Sequence, residues 1–197
     1  MIYDRFQQEA IGHINSGHSV IVSAPTGAGK TAIAEYIISN AIKNSLGVIY
    51  TAPIKALSNQ KFRDFKDQFQ DNIGILTGDV SINPQAPILI MTTEIFRNKL
   101  LDEPLSLNKY SWIIFDEIHY IDNPERGTVW EESLIFLPKH MHLLGLSATI
   151  PNIEQFARWI ESIHDKTVKV VIEENRPVPL HFLFQCQNEI ADKIEHL

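Results

Sequence analysis

The sequence predicts an α/β domain whose mostly parallel sheet carries helices on both faces. Two observations lead there. Short apolar runs rich in Ile, Val and Leu, without strict alternation, read as strands covered on both sides. Stretches with helical periodicity lie between them, and alternating strands and helices build a parallel sheet.

Taken in order, "RFQQEAI" at 5–11 is compatible with an amphipathic opening helix. The strand-like runs are "SVIVSA" (19–24), "GVIYTA" (47–52), "NIGILTG" (72–78), "PILIMT" (87–92), "WIIFDE" (112–117) and "LLGLSAT" (143–149). Helical stretches are "GKTAIAEYIISNAI" (29–42), "KALSNQKFRDFKDQF" (55–69) and "NIEQFARWIESI" (152–163), with a further helix through Glu131 and Glu132 to Leu137. After Ile172 the pattern changes: "EENRPVPLHFLF" contains two prolines and ends extended, and "NEIADKIEHL" begins a short helix. The expected organisation is one domain over residues 1–172 and a connecting segment over 173–197.

At 197 residues the chain fits one large domain, and its apolar share of 44% is sufficient for a core. No run approaches the roughly 18 apolar residues that a membrane helix needs. The opening "MIYDRFQQEA" has no secretory pattern, and Cys186 stands alone, so neither a disulfide nor a cysteine cluster is expected within the chain. These features fit a reducing, cytoplasmic setting without a membrane partner. The net charge of −7 gives no global attraction to nucleic acid, so any polyanion must be held by local geometry.

"SAPTGAGKT" follows the first strand and opens a helix, the context of a phosphate-binding loop. Backbone N–H groups from Thr26 through Gly27, Ala28 and Gly29 to Lys30 can surround phosphate oxygens at a helix N-terminus. Lys30 suits the β- and γ-phosphates, and the Thr31 hydroxyl suits Mg2+. Ala24 replaces the usual first glycine and Pro25 follows it, but Gly27 and Gly29 keep the loop flexible where it wraps.

The run "WIIF" stops at Asp116 and Glu117. Adjacent acids suit the start of a helix. Beside a phosphate loop they suit catalysis as well: Asp116 for hydrated Mg2+, and Glu117 to orient and deprotonate the attacking water. Two carboxylates are needed because one is committed to the cation.

The motifs "APTGAGKT", "TAPIKALSNQKF", "TGDVSINP", "MTTEIFRNKL", "DEIHYIDNPERGTVWEE" and "LSATIPN" occur in that order. With them the chain resembles the first RecA-like P-loop NTPase domain of a superfamily 2 DExH-box helicase. The run after the tetrad, together with "ENRPVPL", is similar to the superkiller-like, exosome-associated RNA helicases. The resemblance implies ATP and Mg2+ as cofactors, single-stranded RNA as the track (with DNA as the alternative) and a second RecA-like domain from the same parent chain. It also implies an exosome or RNA-decay complex as partner.

The resemblance assigns adenine reading to Gln7, with Phe6 packed nearby; the other reading of Gln7 is a solvent-facing helix residue. His119 is expected at the junction with the second motor domain, and Ser147 and Thr149 are expected to couple hydrolysis to domain movement; a structural histidine and a plain strand-end turn are the alternatives. The RNA side would use Pro53, Lys55, Gly78, Asp79, Thr92 and Thr93 at successive strand ends, gripping phosphates without reading sequence. Asn59, Arg63 and Lys66 recur at helical spacing, either as a positive flank or as a solvated face, and Arg126-Gly127 and Glu131-Glu132 read as structural.

No stretch resembles the arginine-rich motif of a second motor domain. The expectation is therefore a piece of a longer protein that binds nucleotide but hydrolyses it poorly. A phosphate-loop kinase or GTPase is the remaining alternative; "NKYS" at 108–111 lacks the acid of a guanine reader.

Overall fold

A computed structural model describes residues 2–177 and the strands at 184–186 and 189–191. Along the chain run α1 (Arg5–Asn15), β1 (Ser19–Ser23), α2 (Thr31–Lys43), β2 (Gly47–Ala52), α3 (Lys55–Phe69), β3 (Ile73–Leu76), β4 (Ser81–Ile82) and β5 (Ile88–Thr92). Then follow α4 (Thr93–Asp102), β6 (Tyr110–Phe115), α5 (Gly127–Ile135), β7 (His142–Ser147), α6 (Ile153–His164) and β8 (Val168–Ile172), with β9 (Phe184–Cys186) and β10 (Glu189–Ala191) last.

The sheet has eight strands in the order β4-β3-β5-β2-β6-β7-β1-β8. Every pairing is parallel except the short edge strand β4 against β3. Period-two side chains explain the continuous apolar runs. Val20, Val22, Val48 and Tyr50 face one core, built with α1, α2 and α3. Ile21, Ile49, Ile113 and Phe115 face the other, against α4, α5 and α6. Each central strand therefore feeds two cores. On α3 the stripe Phe62, Phe65 and Phe69 is buried, as its spacing requires.

Four elements differ from expectation. In place of the start of the expected helix, Glu189–Ala191 is a strand paired antiparallel with Phe184–Cys186, so pairing overrides helix-forming composition there. The rest of that stretch lies outside the described residues. Strand β8, with Lys169 breaking its apolar run, and the two-residue β4 are additions. Helix α5 stops at Ile135, two residues before Leu137.

Candidate nucleotide site and nucleic-acid cleft

Strands β1 and β6 end on the same rim of the sheet, with β7 between them. Ser23 is opposite Ser147, and Phe115 is opposite Gly145. Two strand spacings, about 10 Å, thus separate the phosphate loop from the acidic pair.

The loop turns through Gly27 at φ +84° and Gly29 at φ +86°, a region that glycine enters without steric cost. Ala24 and Pro25 are buried beneath it, and the Ala28 N–H closes the turn on the Pro25 carbonyl at 3.1 Å. Lys30 Nζ folds back over the loop, donating to the carbonyls of Ala24 (2.6 Å) and Pro25 (3.1 Å). Burial lowers the Lys30 pKa, while the charges of Glu117 and Asp116 push it back up. All three groups therefore share one electrostatic environment. Thr31 opens α2, and its Oγ1 accepts a 3.0 Å bond from Lys61 Nζ on α3.

Asp116 is buried. Its Oδ2 accepts a 2.6 Å bond from the Tyr50 hydroxyl, and its N–H donates to Thr51. Burial first, and Asp116 second, hold the Tyr50 pKa far above a free phenol's, so Tyr50 remains a donor. Glu117 has left-handed backbone, φ 55° and ψ 46°. A non-glycine residue there costs roughly 1–2 kcal/mol. Glu117 stands at the N-cap of the following 3₁₀ turn, Ile118–Asp122, without a side-chain capping hydrogen bond.

Glu117 Oε2 lies 3.3 Å from His119 Nδ1, and the Ala148 N–H points at that same nitrogen from 3.4 Å. One nitrogen cannot serve both at once. Unprotonated it accepts from Ala148; protonated it faces Glu117. Ser147 Oγ is buried without a hydrogen-bond partner among the described residues, while Thr149 is exposed.

The donor set suits Mg2+ better than a metal held wholly by protein. Among the described residues no group of three or more His, Cys, Asp or Glu side chains is placed to hold a metal ion. Asp116 has one oxygen outside its Tyr50 bond, and Thr31 supplies a hydroxyl. A cation that takes phosphate oxygens and water for its remaining ligands fits this set.

Gln7 is buried and works within the fold. Its Oε1 accepts from the Asp4 N–H (2.8 Å), and its Nε2 donates to the Gly29 carbonyl (2.9 Å). It is not the solvent-facing residue that the sequence left open. One proton and one lone pair of its amide stay uncommitted. Beside it a cavity of about 320 Å3 is lined by Arg5, Phe6, Ala28, Glu173 and Asn175 among others.

On the same rim, beyond β2, β3 and β5, a cleft of about 490 Å3 is lined by Pro53, Lys55, Gly78, Thr92 and Arg126 among others. Thr92 Oγ1 caps α4 by accepting from Ile95 N–H at 3.4 Å. Asp79 pairs with Lys55 at 3.2 Å. Thr93 does not line the cleft; it is buried, with Oγ1 against the Ala52 carbonyl. Arg63 and Lys66 are exposed on α3, and Lys61, passed over in the sequence, is the one that reaches the phosphate loop. Arg126, read there as structural, belongs to the cleft.

A model of the DEAD/DEAH box helicase family matches residues 4–156. The chain is 50% identical to the antiviral helicase SKI2 of Saccharomyces cerevisiae over 192 residues, 97% of this chain and 15% of that protein. It is 51% identical to the exosome RNA helicase MTR4 of Homo sapiens over 184 residues, 93% of this chain and 18% of that one. The chain thus spans less than a fifth of the curated relatives it matches. The crystal structure of the DUF1998 helicase MrfA bound to DNA superposes with a TM-score of 0.71 over 87% of this chain and 27% of that chain, at 18% identity, and shows the shared fold. The family match over residues 4–156 displaces the kinase and GTPase alternatives and implies ATP binding. By the family match across most of its length, the chain belongs to the DEAD/DEAH box helicases.

Proposed function

We propose that this chain is the first motor domain, over residues 1–172, of an ATP-dependent RNA helicase, with residues 173–197 leading to a second RecA-like domain. One observation carries the reading: phosphate loop, acidic pair and cleft share a single rim of the sheet. Lys30 leaves its loop carbonyls to meet the β- and γ-phosphates. Thr31 and Asp116 would hold Mg2+, which would neutralise charge on the phosphate oxygens. Glu117 takes the proton of the water whose oxygen attacks the γ-phosphorus, and ADP leaves. Gln7 offers its uncommitted donor and acceptor to adenine, while His119, Ser147 and Thr149 pass the state of the site to the partner domain.

The cleft holds single-stranded RNA through backbone phosphates. The name of one relative, the exosome RNA helicase MTR4, supports RNA over DNA and an exosome-type RNA-decay complex as partner; the cytoplasmic setting rests on the lone Cys186. No helix among the described residues is long and apolar enough to cross a membrane. The second domain supplies the arginine finger, worth about 10³–10⁵ in rate in related enzymes. The chain alone therefore binds nucleotide and turns it over poorly. Measuring ATP hydrolysis by the full-length protein with matched RNA and DNA oligomers tests the reading. Greater stimulation by RNA is expected; stimulation by DNA alone, or by neither, overturns it.

A further inference from the structure

We propose that Arg126 is a phosphate-gripping residue of the nucleic-acid cleft, held in place by the "DNPERG" turn; this rests on the RNA reading above. The turn is built for presentation. Asn123 Oδ1 accepts the N–H groups of Glu125 (3.0 Å) and Arg126 (3.1 Å), and Gly127 N–H donates to the Asn123 carbonyl at 2.7 Å. A Cβ on Gly127 would stand 2.2 Å from the Ile121 carbonyl oxygen, so only glycine lets the turn seat there. Backbone bonds from Tyr120 to Glu117 and from Asn123 to Tyr120 continue it back to the acidic pair.

The guanidinium then crosses 73 residues of sequence to donate to the Pro53 carbonyl at 3.1 Å. That bond fixes the side chain in the lining of the cleft and uses one of five N–H donors. Lys55, the other cation of the lining, is already paired with Asp79. Arg126 has no carboxylate within ion-pair distance among the described residues, although Glu94 lines the same cleft. A fixed, unpaired guanidinium beside the α4 N-terminus suits a phosphate diester: the fork supplies two donors, and the helix end favours the negative charge.

The test is binding of single-stranded uridine and mixed-sequence RNA oligomers to the full-length protein across a salt series. Arg126→Met should weaken every oligomer by about tenfold or more, whatever its sequence. It should also reduce the slope of log affinity against log salt by about 0.7, one phosphate contact on a single strand. Weaker binding with an unchanged slope makes Arg126 a brace for Pro53 and overturns the proposal, as does unchanged binding. Thermal unfolding monitors the fold. If Arg126→Met unfolds, Arg126→Lys keeps the charge: weaker binding at an unchanged slope is expected, and binding equal to the unmodified protein's overturns the proposal. Lys55→Met is measured in parallel. If it weakens RNA binding while Arg126→Met does not, only the Arg126 role falls; if neither does, the cleft is not the RNA track.

Discussion

Tyr50 on β2 donates a 2.6 Å hydrogen bond to Oδ2 of Asp116 at the end of β6, and both residues are buried. The bond joins neighbouring strands and leaves Oδ1 of Asp116 outside it. Tyr50→Phe keeps the packing and removes only the donor. Hydrogen bonds to charged groups contribute about 1.5–3 kcal/mol, and a loss of that size is expected by denaturant unfolding. In an Asp116→Asn background the same change should cost less, because the charged acceptor is gone. Equal costs in the two backgrounds would show that the bond contributes nothing particular to the charged pair.

On the function proposed above, Lys30 and Glu117 should separate binding from chemistry. Lys30→Ala should abolish ATP turnover in the full-length protein, since no other ammonium among the described residues sits on the loop carbonyls. Glu117→Gln should still bind ATP but block hydrolysis, because an amide can donate a hydrogen bond but cannot take the proton. Nucleotide binding and single-turnover hydrolysis, measured side by side, distinguish the two. Turnover by Glu117→Gln near the unmodified rate removes that residue from the mechanism.

What the sequence made legible follows from where the information sits. Strand β2 and helix α3 match their expected bounds because burial on both sheet faces, and a Phe stripe on one helix face, are written in local periodicity. The phosphate loop and the acidic pair are equally local, each a strand end followed by a turn. Arg126 was not legible: its partner, Pro53, lies 73 residues away, and only the sheet order brings them together. Lys61 on Thr31 is hidden in the same way, across 30 residues. The Glu189–Ala191 strand was misread because helix-forming residues there are overruled by a partner strand.

Gly27 and Gly29 share a positive φ but not their surroundings. A Cβ at Gly27 meets nothing within 4 Å, whereas one at Gly29 would lie 2.8 Å from Gln7 Nε2. Gly27→Ala should cost the backbone penalty alone, roughly 1–2 kcal/mol. Gly29→Ala should cost more, because it also displaces the amide that ties α1 to the loop. Adding Gln7→Ala should reduce that excess and leave the cost of Gly27→Ala unchanged. Additive costs in both pairings, read by chemical denaturation, would exclude the contact as the cause.

Two histidines on the face away from the nucleotide set a pH dependence of stability. Burial is the main cause lowering the pKa of both His142 and His164 below the ordinary 6.5, with the Lys166 charge acting the same way. His164 is buried, with Nε2 2.7 Å from the Leu134 carbonyl, a contact that partly offsets the shift. Above 6.5 both are neutral in folded and unfolded chains alike. As pH falls below 6.5 the unfolded chain takes up protons that the folded one resists, so stability is lost down through the folded-state pKa values. Glu35, raised by burial, acts in the opposite sense. The unfolding midpoint should therefore drop as pH falls below 6.5, and His142→Gln combined with His164→Gln should flatten that drop. A midpoint that stays level through this window, or falls equally in the double variant, would rule out these imidazoles as its source.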